Sequence, residues 1–224
     1  MSDAPAAGTM RAGTMKIDFI ADVVCPWCYI GWERLKATLA MRPELETEVT
    51  WRPYQLDPSL PEEGVDRAAY MAAKFPDPER RARALEVLDA EAATVGLTLK
   101  LAEIPISPNT NAAHRLIRWA QGVGLQGQAL EAIMRAYFTD LKDIGDPLVL
   151  ADIASEIGME RMLVLKLLGE GADKDAVTRE HVAAVQAGVS GVPFTIFGGK
   201  IAVSGAETPE RMVRALDTAV RETA

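Results

Sequence analysis

The fold of this chain is decided by the stretch Val23-Val24-Cys25-Pro26-Trp27-Cys28-Tyr29, which contains the only two cysteines among 224 residues. The run before it, from Met15 to Ala21, alternates in hydrophobicity and predicts a strand over residues 16–21. After it, a helical spacing places four residues on one face of a predicted helix: Cys28, Trp32, Leu35 and Leu39. The stretch therefore joins the end of a strand to a helix that we predict over residues 26–40.

Cys25 is predicted to lie at the N-terminus of this helix. Pro26 suits the first helical position, because its φ is already near helical and its missing N–H would have no partner there. Free backbone N–H groups and the positive end of the helix dipole then favour a thiolate at Cys25. Cys28 follows one turn later on the inward face, so its sulfur should be the more buried one. The spacing predicts an attacking thiol, Cys25, and a resolving thiol, Cys28.

Cysteines at this spacing can also form a structural disulfide or half of a zinc site. A disulfide that closes so short a loop removes little chain entropy, and one such link adds little to a chain of this length. A zinc site would need His114 and His181, which are far apart in sequence and lack the usual histidine spacing. Redox chemistry beside a strand–helix junction is therefore the favoured interpretation.

Composition limits the partners and the compartment. The chain has 24 Lys and Arg against 32 Asp and Glu, and its net charge of −8 argues against nucleic acid and anionic membranes as partners. No apolar run approaches the length of a membrane span. Residues 1–14 are small and polar, and we predict a disordered leader there rather than a secretory signal. With no cysteine outside the pair, we predict a cytoplasmic, reducing location.

The other patterns predict a small sheet that is interrupted by helices. Residues 48–52 form a second strand, expected to run parallel to the first, and strands over 194–197 and 200–204 flank Gly198-Gly199, a two-residue hairpin signal. A helix over 209–220 closes the chain. Between the β segments we predict helices over residues 66–74, 78–94, 110–121, 125–138, 147–157, 160–168 and 173–187. The fold class is therefore α/β with a helical insertion.

The run Gly191-Val192-Pro193-Phe194 lies between a helix end and the third predicted strand. In the plainest interpretation, Pro193 only opens an edge strand, where proline is common. The reversal of the chain at this point favours instead a cis Val192–Pro193 bond within contact distance of Cys25. Val192 would then have free main-chain groups with which to hold an extended substrate segment by strand addition.

With both runs in place, the sequence resembles the thioredoxin-fold proteins of the DsbA family, and in particular its cytoplasmic FrnE-like branch. The resemblance covers nearly the whole chain from Met15. It implies a thioredoxin fold interrupted by an all-helical insertion domain, with the thioredoxin-like domain at residues 15–59 and 189–224 and the insertion at residues 60–188. The recognisable runs are Asp22–Gly31, Trp51–Tyr54, Pro108–Thr110, His114–Ile117, Asp143–Asp146 and Val189–Phe194.

The resemblance also implies thiol–disulfide exchange with protein substrates, in which Cys25 attacks and Cys28 resolves. No metal or organic cofactor is expected, and glutathione is the alternative thiol partner; the oligomeric state is left open. Glutathione-dependent relatives, the kappa-class glutathione transferases and 2-hydroxychromene-2-carboxylate isomerases, typically carry serine at the position of Cys25 and lack the second cysteine. Both cysteines favour the redox enzyme over this alternative and over a non-catalytic scaffold. Substrate contacts are expected at Pro26, Trp27, Val192, Pro193 and Asn109.

Several polar residues have two interpretations. Asn109 and His114 stand at the start of a predicted helix that faces the active site in the related proteins. Alternatively, Asn109 or Thr110 caps this helix and His114 flanks its apolar stripe. His181 shares a stripe with apolar residues, and packing near the sheet is its expected role. Asp143 and Asp146 are explained as turn and cap residues.

Overall fold

The computed structural model describes residues 13–223. The predicted leader, residues 1–14, lies outside the described residues except for Gly13 and Thr14. The strands are β1 (Met15–Ala21), β2 (Thr47–Pro53), β3 (Val65–Asp66), β4 (Ile106–Ser107), β5 (Phe194–Phe197) and β6 (Ile201–Ser204). The helices are α1 (Pro26–Ala40), α2 (Arg67–Lys74), α3 (Pro78–Ala93), α4 (Asn111–Gln121), α5 (Gln126–Phe138), α6 (Pro147–Glu156), α7 (Arg161–Gly169), α8 (Lys174–Gln186) and α9 (Pro209–Thr223).

The main sheet has four strands in the order β2-β1-β5-β6. β1 pairs parallel with β2, as predicted for a strand–helix–strand unit, and antiparallel with β5. In this register Ala21 lies beside Pro53, and Ile20 lies beside Phe194. The residues that follow β1 and β2 therefore lie close to those that precede β5, at one end of the strands. Both Cys25 and Pro193 lie at this end of the sheet.

The helix α1 covers the sheet with the face that its periodicity predicted. Cys28 and Leu35 are fully buried, and Trp32 is nearly so. Phe19 of β1 contacts Trp32 and Trp51, with ring centroids 5.7 and 5.5 Å apart. Because these aromatic side chains bury large apolar areas, they fix α1 and β2 against the central strand.

The chain between β2 and β5 is mostly helical, in agreement with the predicted α/β fold. α4 packs against α5, α6 and α8, and α6 packs against α7. Acidic N-caps begin four of these helices, where their side chains accept hydrogen bonds from backbone N–H groups: Asp66, Asp77, Asp146 and Glu160. These caps explain why the predicted helix starts agree with the observed ones within a residue or two.

Two predictions about β structure were wrong. A second, two-stranded sheet joins β3 to β4, and each strand has only two residues, too few for any periodicity to show. The predicted two-residue hairpin is a three-residue turn, because Phe197 pairs with Ile201. Lys200 belongs to this turn and donates its N–H to the Phe197 carbonyl at 3.1 Å. Gly198 and Gly199 both have positive φ, which explains the glycine pair.

The outer edge of β2 is covered by a side chain. The Gln126 amide accepts the Trp51 N–H at 2.9 Å and donates to the Trp51 carbonyl at 3.4 Å. It thereby occupies the place of a further strand at an otherwise open edge. Within residues 13–223, none of the helices has the length and apolarity needed to cross a lipid bilayer.

Candidate active site

Cys25 occupies the N-cap position of α1, and Pro26 lies in the first turn, as predicted. The Cys25 carbonyl accepts the backbone N–H groups of Cys28 at 3.0 Å and Tyr29 at 3.3 Å. Its own N–H donates to the Asp22 carbonyl at 3.1 Å, which makes a tight turn between β1 and α1. Cys25 therefore lies at the end of α1 where the free N–H groups of the first turn concentrate positive charge, although its side chain accepts no capping hydrogen bond.

Cys28 is the more buried of the two cysteines. It has no exposed surface, whereas Cys25 retains 5%. Burial raises the pKa of the Cys28 thiol well above its usual value, and its contact with the Cys25 sulfur raises it further. Cys28 is therefore a protonated thiol at neutral pH, and Cys25 is the cysteine that keeps some exposed surface.

The second predicted segment meets the first at Cys25. The Val192–Pro193 peptide bond is cis, as predicted, and the Val192 carbonyl oxygen lies 3.8 Å from the Cys25 sulfur. Pro193 is buried and Val192 is half-buried. Two runs that are 167 positions apart in sequence thus form one site.

A glycine of α1 allows this close approach. A Cβ atom on Gly31 would lie 2.8 Å from Pro193 Cγ and 3.3 Å from its Cβ. The proline ring cannot swing away as a long side chain could, so the contact requires glycine. Gly31 therefore sets how closely the Val192-Pro193 segment approaches the helix that carries Cys25.

We expect Gly31→Ala to lower the free energy of unfolding by about 1–3 kcal/mol, because the added methyl group overpacks the contact with Pro193. The matched control is Gly127→Ala in α5, where the new Cβ would meet Trp32 at an ordinary 3.7 Å. This control should be neutral or stabilising by up to about 1 kcal/mol, since alanine is the better helix former. Urea denaturation of both variants measures the difference, and equal stabilities would contradict the steric account.

A buried carboxylate–histidine pair lies beneath the dithiol. Asp22 is 1% exposed and follows β1 directly, three residues before Cys25. One of its carboxylate oxygens accepts the Leu56 N–H at 2.7 Å, and the other lies 3.2 Å from His114 Nε2. Asp22 thus connects the β1–α1 turn both to the loop after β2 and to α4.

The partners of His114 determine its tautomer. Trp51 Nε1 donates to His114 Nδ1 at 3.3 Å, so this nitrogen is the acceptor. His114 Nε2 then carries the proton, which it shares between Asp22 and the Tyr54 carbonyl, also at 3.2 Å. Trp51 therefore donates to His114, and His114 donates to the Asp22 carboxylate, which is the final acceptor.

The loop after β2 is held by a second set of polar contacts. Asn109 accepts hydrogen bonds from Gln55 Nε2 at 3.2 Å and from the Asn111 N–H at 3.0 Å, and it donates to the Leu60 carbonyl at 2.6 Å. Asn109 thus accepts the first N–H of α4, beside the N-cap residue Thr110, and anchors the loop, while its contact with substrate stays a prediction. His181 accepts the Gln55 N–H at 3.1 Å and meets the Tyr54 ring edge-on.

We expect the stability of the protein to depend on the titration of His181. Burial lowers the pKa of this imidazole, with a further small decrease from His114 that Asp22 opposes. Its contribution to stability is therefore present above its ordinary pKa of about 6.5 and is lost as the pH falls through the lower pKa of the folded state. Between about pH 7 and pH 5, chemical denaturation should show a larger loss of stability for the wild type than for His181→Asn, which does not titrate. Parallel pH profiles for the two proteins would contradict this.

The remaining predicted residues have simpler surroundings. Pro26 and Trp27 are half-buried between the two cysteines. Asp143 accepts the Gly145 N–H and Asp146 accepts the Leu148 N–H, both at 2.8 Å, so their predicted turn and cap roles are confirmed. Among residues 13–223, no three His, Cys, Asp or Glu side chains group together as metal ligands would.

Sequence reasoning did not single out Asp22 or Gly31 as site residues. The sequence does contain a signal for Asp22. A lone carboxylate between apolar residues at a strand end is expected to be buried and therefore to need hydrogen-bond partners. No local signal distinguishes Gly31, because its neighbour Pro193 is distant in sequence.

The four-stranded sheet, the thiol at a helix N-cap and the cis-proline segment facing it define a thioredoxin-fold dithiol protein. The chain belongs to the DSBA-like thioredoxin domain family, which matches residues 16–217. The resemblance to the DsbA family drawn from the sequence is thus confirmed, as is the fold class. The family is one of thiol oxidoreductases.

Solved structures agree with this assignment. The probable DsbA oxidoreductase SCO1869 from Streptomyces coelicolor is 30% identical, with a TM-score of 0.86 over 93% of this chain and 91% of that one. A 2-hydroxychromene-2-carboxylate isomerase has a TM-score of 0.69 at 16% identity, over 92% of this chain and 97% of its own. The cytosolic disulfide reductase DsbM from Pseudomonas aeruginosa, solved with GSH, has a TM-score of 0.62 at 15% identity, over 92% and 96%. At their low identity, the last two establish the fold alone.

Proposed function

We propose that this protein is a cytoplasmic thiol–disulfide oxidoreductase of the FrnE-like type that acts on protein substrates. The observation that carries the proposal is the position of Cys25. Cys25 occupies the N-cap position of α1, its sulfur lies 3.8 Å from the Val192 carbonyl, and the buried thiol of Cys28 contacts it. Disulfide exchange with a polypeptide requires three parts: a nucleophilic thiol, main-chain groups that can pair with an extended substrate, and a resolving thiol.

The reaction has two steps. The Cys25 thiolate attacks one sulfur of a substrate disulfide, so that a Cys25–substrate disulfide forms and one substrate thiolate leaves. Cys28 then loses its proton and attacks the Cys25 sulfur, which forms the Cys25–Cys28 disulfide and releases the second substrate thiolate. The substrate gains two electrons, and its two thiolates take up two protons. The reverse sequence oxidises a substrate dithiol.

No metal or organic cofactor takes part in this proposal, because the electrons are held by the two sulfurs. Glutathione is the proposed small-molecule thiol that returns the Cys25–Cys28 disulfide to the dithiol. The DsbM structure, described as a cytosolic reductase with GSH, supports a thiol of this kind and a cytoplasmic location. The net charge of −8 supports protein partners rather than nucleic acid or anionic lipid.

The test compares two assays of the purified wild-type protein. We expect it to accelerate reduction of insulin by dithiothreitol and to show no glutathione-dependent isomerisation of 2-hydroxychromene-2-carboxylate. The isomerase structure provides the reason for the second assay. Isomerase turnover without insulin reduction would replace the proposed function with the isomerase alternative.

A further inference from the structure

We propose that Arg34 is a positioning residue for disulfide exchange, acting through the turn Gly205-Ala206 on the Val192-Pro193 segment that faces Cys25. The inference rests on the proposed function, because it concerns how an extended substrate is held over the attacking sulfur. Four consecutive contacts carry it, from the helical part of the chain to the active site.

The first contacts surround the guanidinium group of Arg34. This residue of α1 is only 7% exposed. Its Nη2 forms an ion pair with Glu91 at the end of α3 and donates to Thr94 Oγ1 at 3.2 Å. Because a buried guanidinium requires partners for its donors, Glu91 and Thr94 fix its orientation.

The third contact leads out of α1 to the turn after β6. Arg34 Nη1 donates to the Ala206 carbonyl at 2.5 Å, across 172 positions of sequence. A hydrogen bond from a charged donor is about twice as strong as a neutral one, so this bond is a strong restraint on the turn. Gly205, the residue before Ala206, has a φ of +85° that favours glycine, which lets the chain bend at this point.

The fourth contact joins this turn to the active site. The Gly205 N–H donates to the Pro193 carbonyl at 2.8 Å, one step beyond the Phe194–Ser204 pair of the β5–β6 ladder. The main chain of Pro193 is thereby held by the turn, while its ring lies against Gly31 of α1, close to Ala206. The Val192 carbonyl lies 3.8 Å from the Cys25 sulfur as a result.

The consequence is specific to extended substrates. A small disulfide needs only access to Cys25, whereas a polypeptide also needs the Val192 main chain at the correct distance for strand addition. Loss of the Arg34 contacts should therefore weaken exchange with proteins and leave exchange with small disulfides almost unchanged. Global destabilisation would lower both rates together.

The test uses the full chain with Glu91→Gln, which leaves Arg34 in place but removes the charge that orients it. The matched control is Glu131→Gln. Glu131 is 44% exposed, close to the 40% of Glu91, and also bonds α1 through Lys36 and Trp32, but it has no contact with Ala206. Initial rates are measured with insulin and with bis(2-hydroxyethyl) disulfide. Arg34→Lys, which retains a single charged donor, provides the second variant.

We expect Glu91→Gln to lower kcat/KM for insulin about tenfold, mainly through KM, and to stay within about twofold of wild type for the small disulfide. Arg34→Lys should show the same split, and Glu131→Gln should match wild type with both substrates. An active wild type whose Glu91→Gln and Arg34→Lys variants keep full insulin activity, or lose both activities equally, overturns the inference alone. A wild type that exchanges neither disulfide overturns the proposed function and this inference with it.

Discussion

Replacing Cys25 with serine is expected to reduce the rate of insulin reduction at least about a thousandfold, because a hydroxyl group supplies no thiolate at neutral pH. The helix N-cap cannot compensate, since it stabilises an anion but does not create the nucleophile. The turbidity that accompanies insulin reduction measures this loss directly. Cys28→Ser should also lose turnover but for a different reason, because the mixed disulfide at Cys25 is then formed and not resolved.

The two variants are therefore each other's control. Non-reducing gel electrophoresis should show substrate linked covalently to Cys28→Ser and none linked to Cys25→Ser. Covalent capture by Cys25→Ser would reverse the assigned roles. Glutathione-dependent isomerase turnover that survives or increases in Cys25→Ser would favour the isomerase, which needs no thiol at this position.

Asp22→Asn is expected to lower the free energy of unfolding by about 2–4 kcal/mol. Asp22 accepts hydrogen bonds from Leu56 and from His114, whose other nitrogen is already occupied by Trp51. Asparagine has one acceptor oxygen for these two donors, so either the Leu56 N–H loses its acceptor or His114 Nε2 keeps only the Tyr54 carbonyl, and the new amide N–H group faces a donor. Thermal and urea denaturation measure the effect.

The matched control is Asp18→Asn on the same strand. Asp18 pairs with Arg52 at the surface, and the loss of an exposed pair costs about 0–1 kcal/mol. Equal stability of the two asparagine variants would contradict the buried network.

The local parts of the site could be predicted from the sequence. Cys25 at a helix N-cap and Cys28 on the buried face follow from proline and apolar spacing, which report on backbone geometry within a few residues. The cis Val192–Pro193 bond was predicted from a chain reversal together with the resemblance to the DsbA family. The parallel pairing of β1 with β2 followed from the strand–helix–strand spacing.

The parts that were missed depend on contacts across the chain. Asp22 meets His114 across 92 positions, and Arg34 meets Ala206 across 172. Neither pairing leaves a periodic pattern, because one side chain in each partner segment makes the contact. The β3–β4 pair was also missed. Its strands have two residues each, which is too short for a sequence pattern, and they form only where the folded chain brings them together. Asn109 was predicted at the site; its hydrogen bonds show that it anchors the loop beside α4, and its contact with substrate stays a prediction.

The most direct test of the account is competitive alkylation of the reduced wild-type protein at neutral pH, with the two sulfurs assigned by peptide mass spectrometry. Cys25 lies at a helix N-cap and keeps some exposed surface, whereas Cys28 is fully buried and its pKa is raised. We predict that iodoacetamide modifies Cys25 first and that Cys28 stays unmodified until the protein unfolds. Modification of Cys28 before Cys25 would contradict the assignment of attacking and resolving thiols on which the proposed function rests.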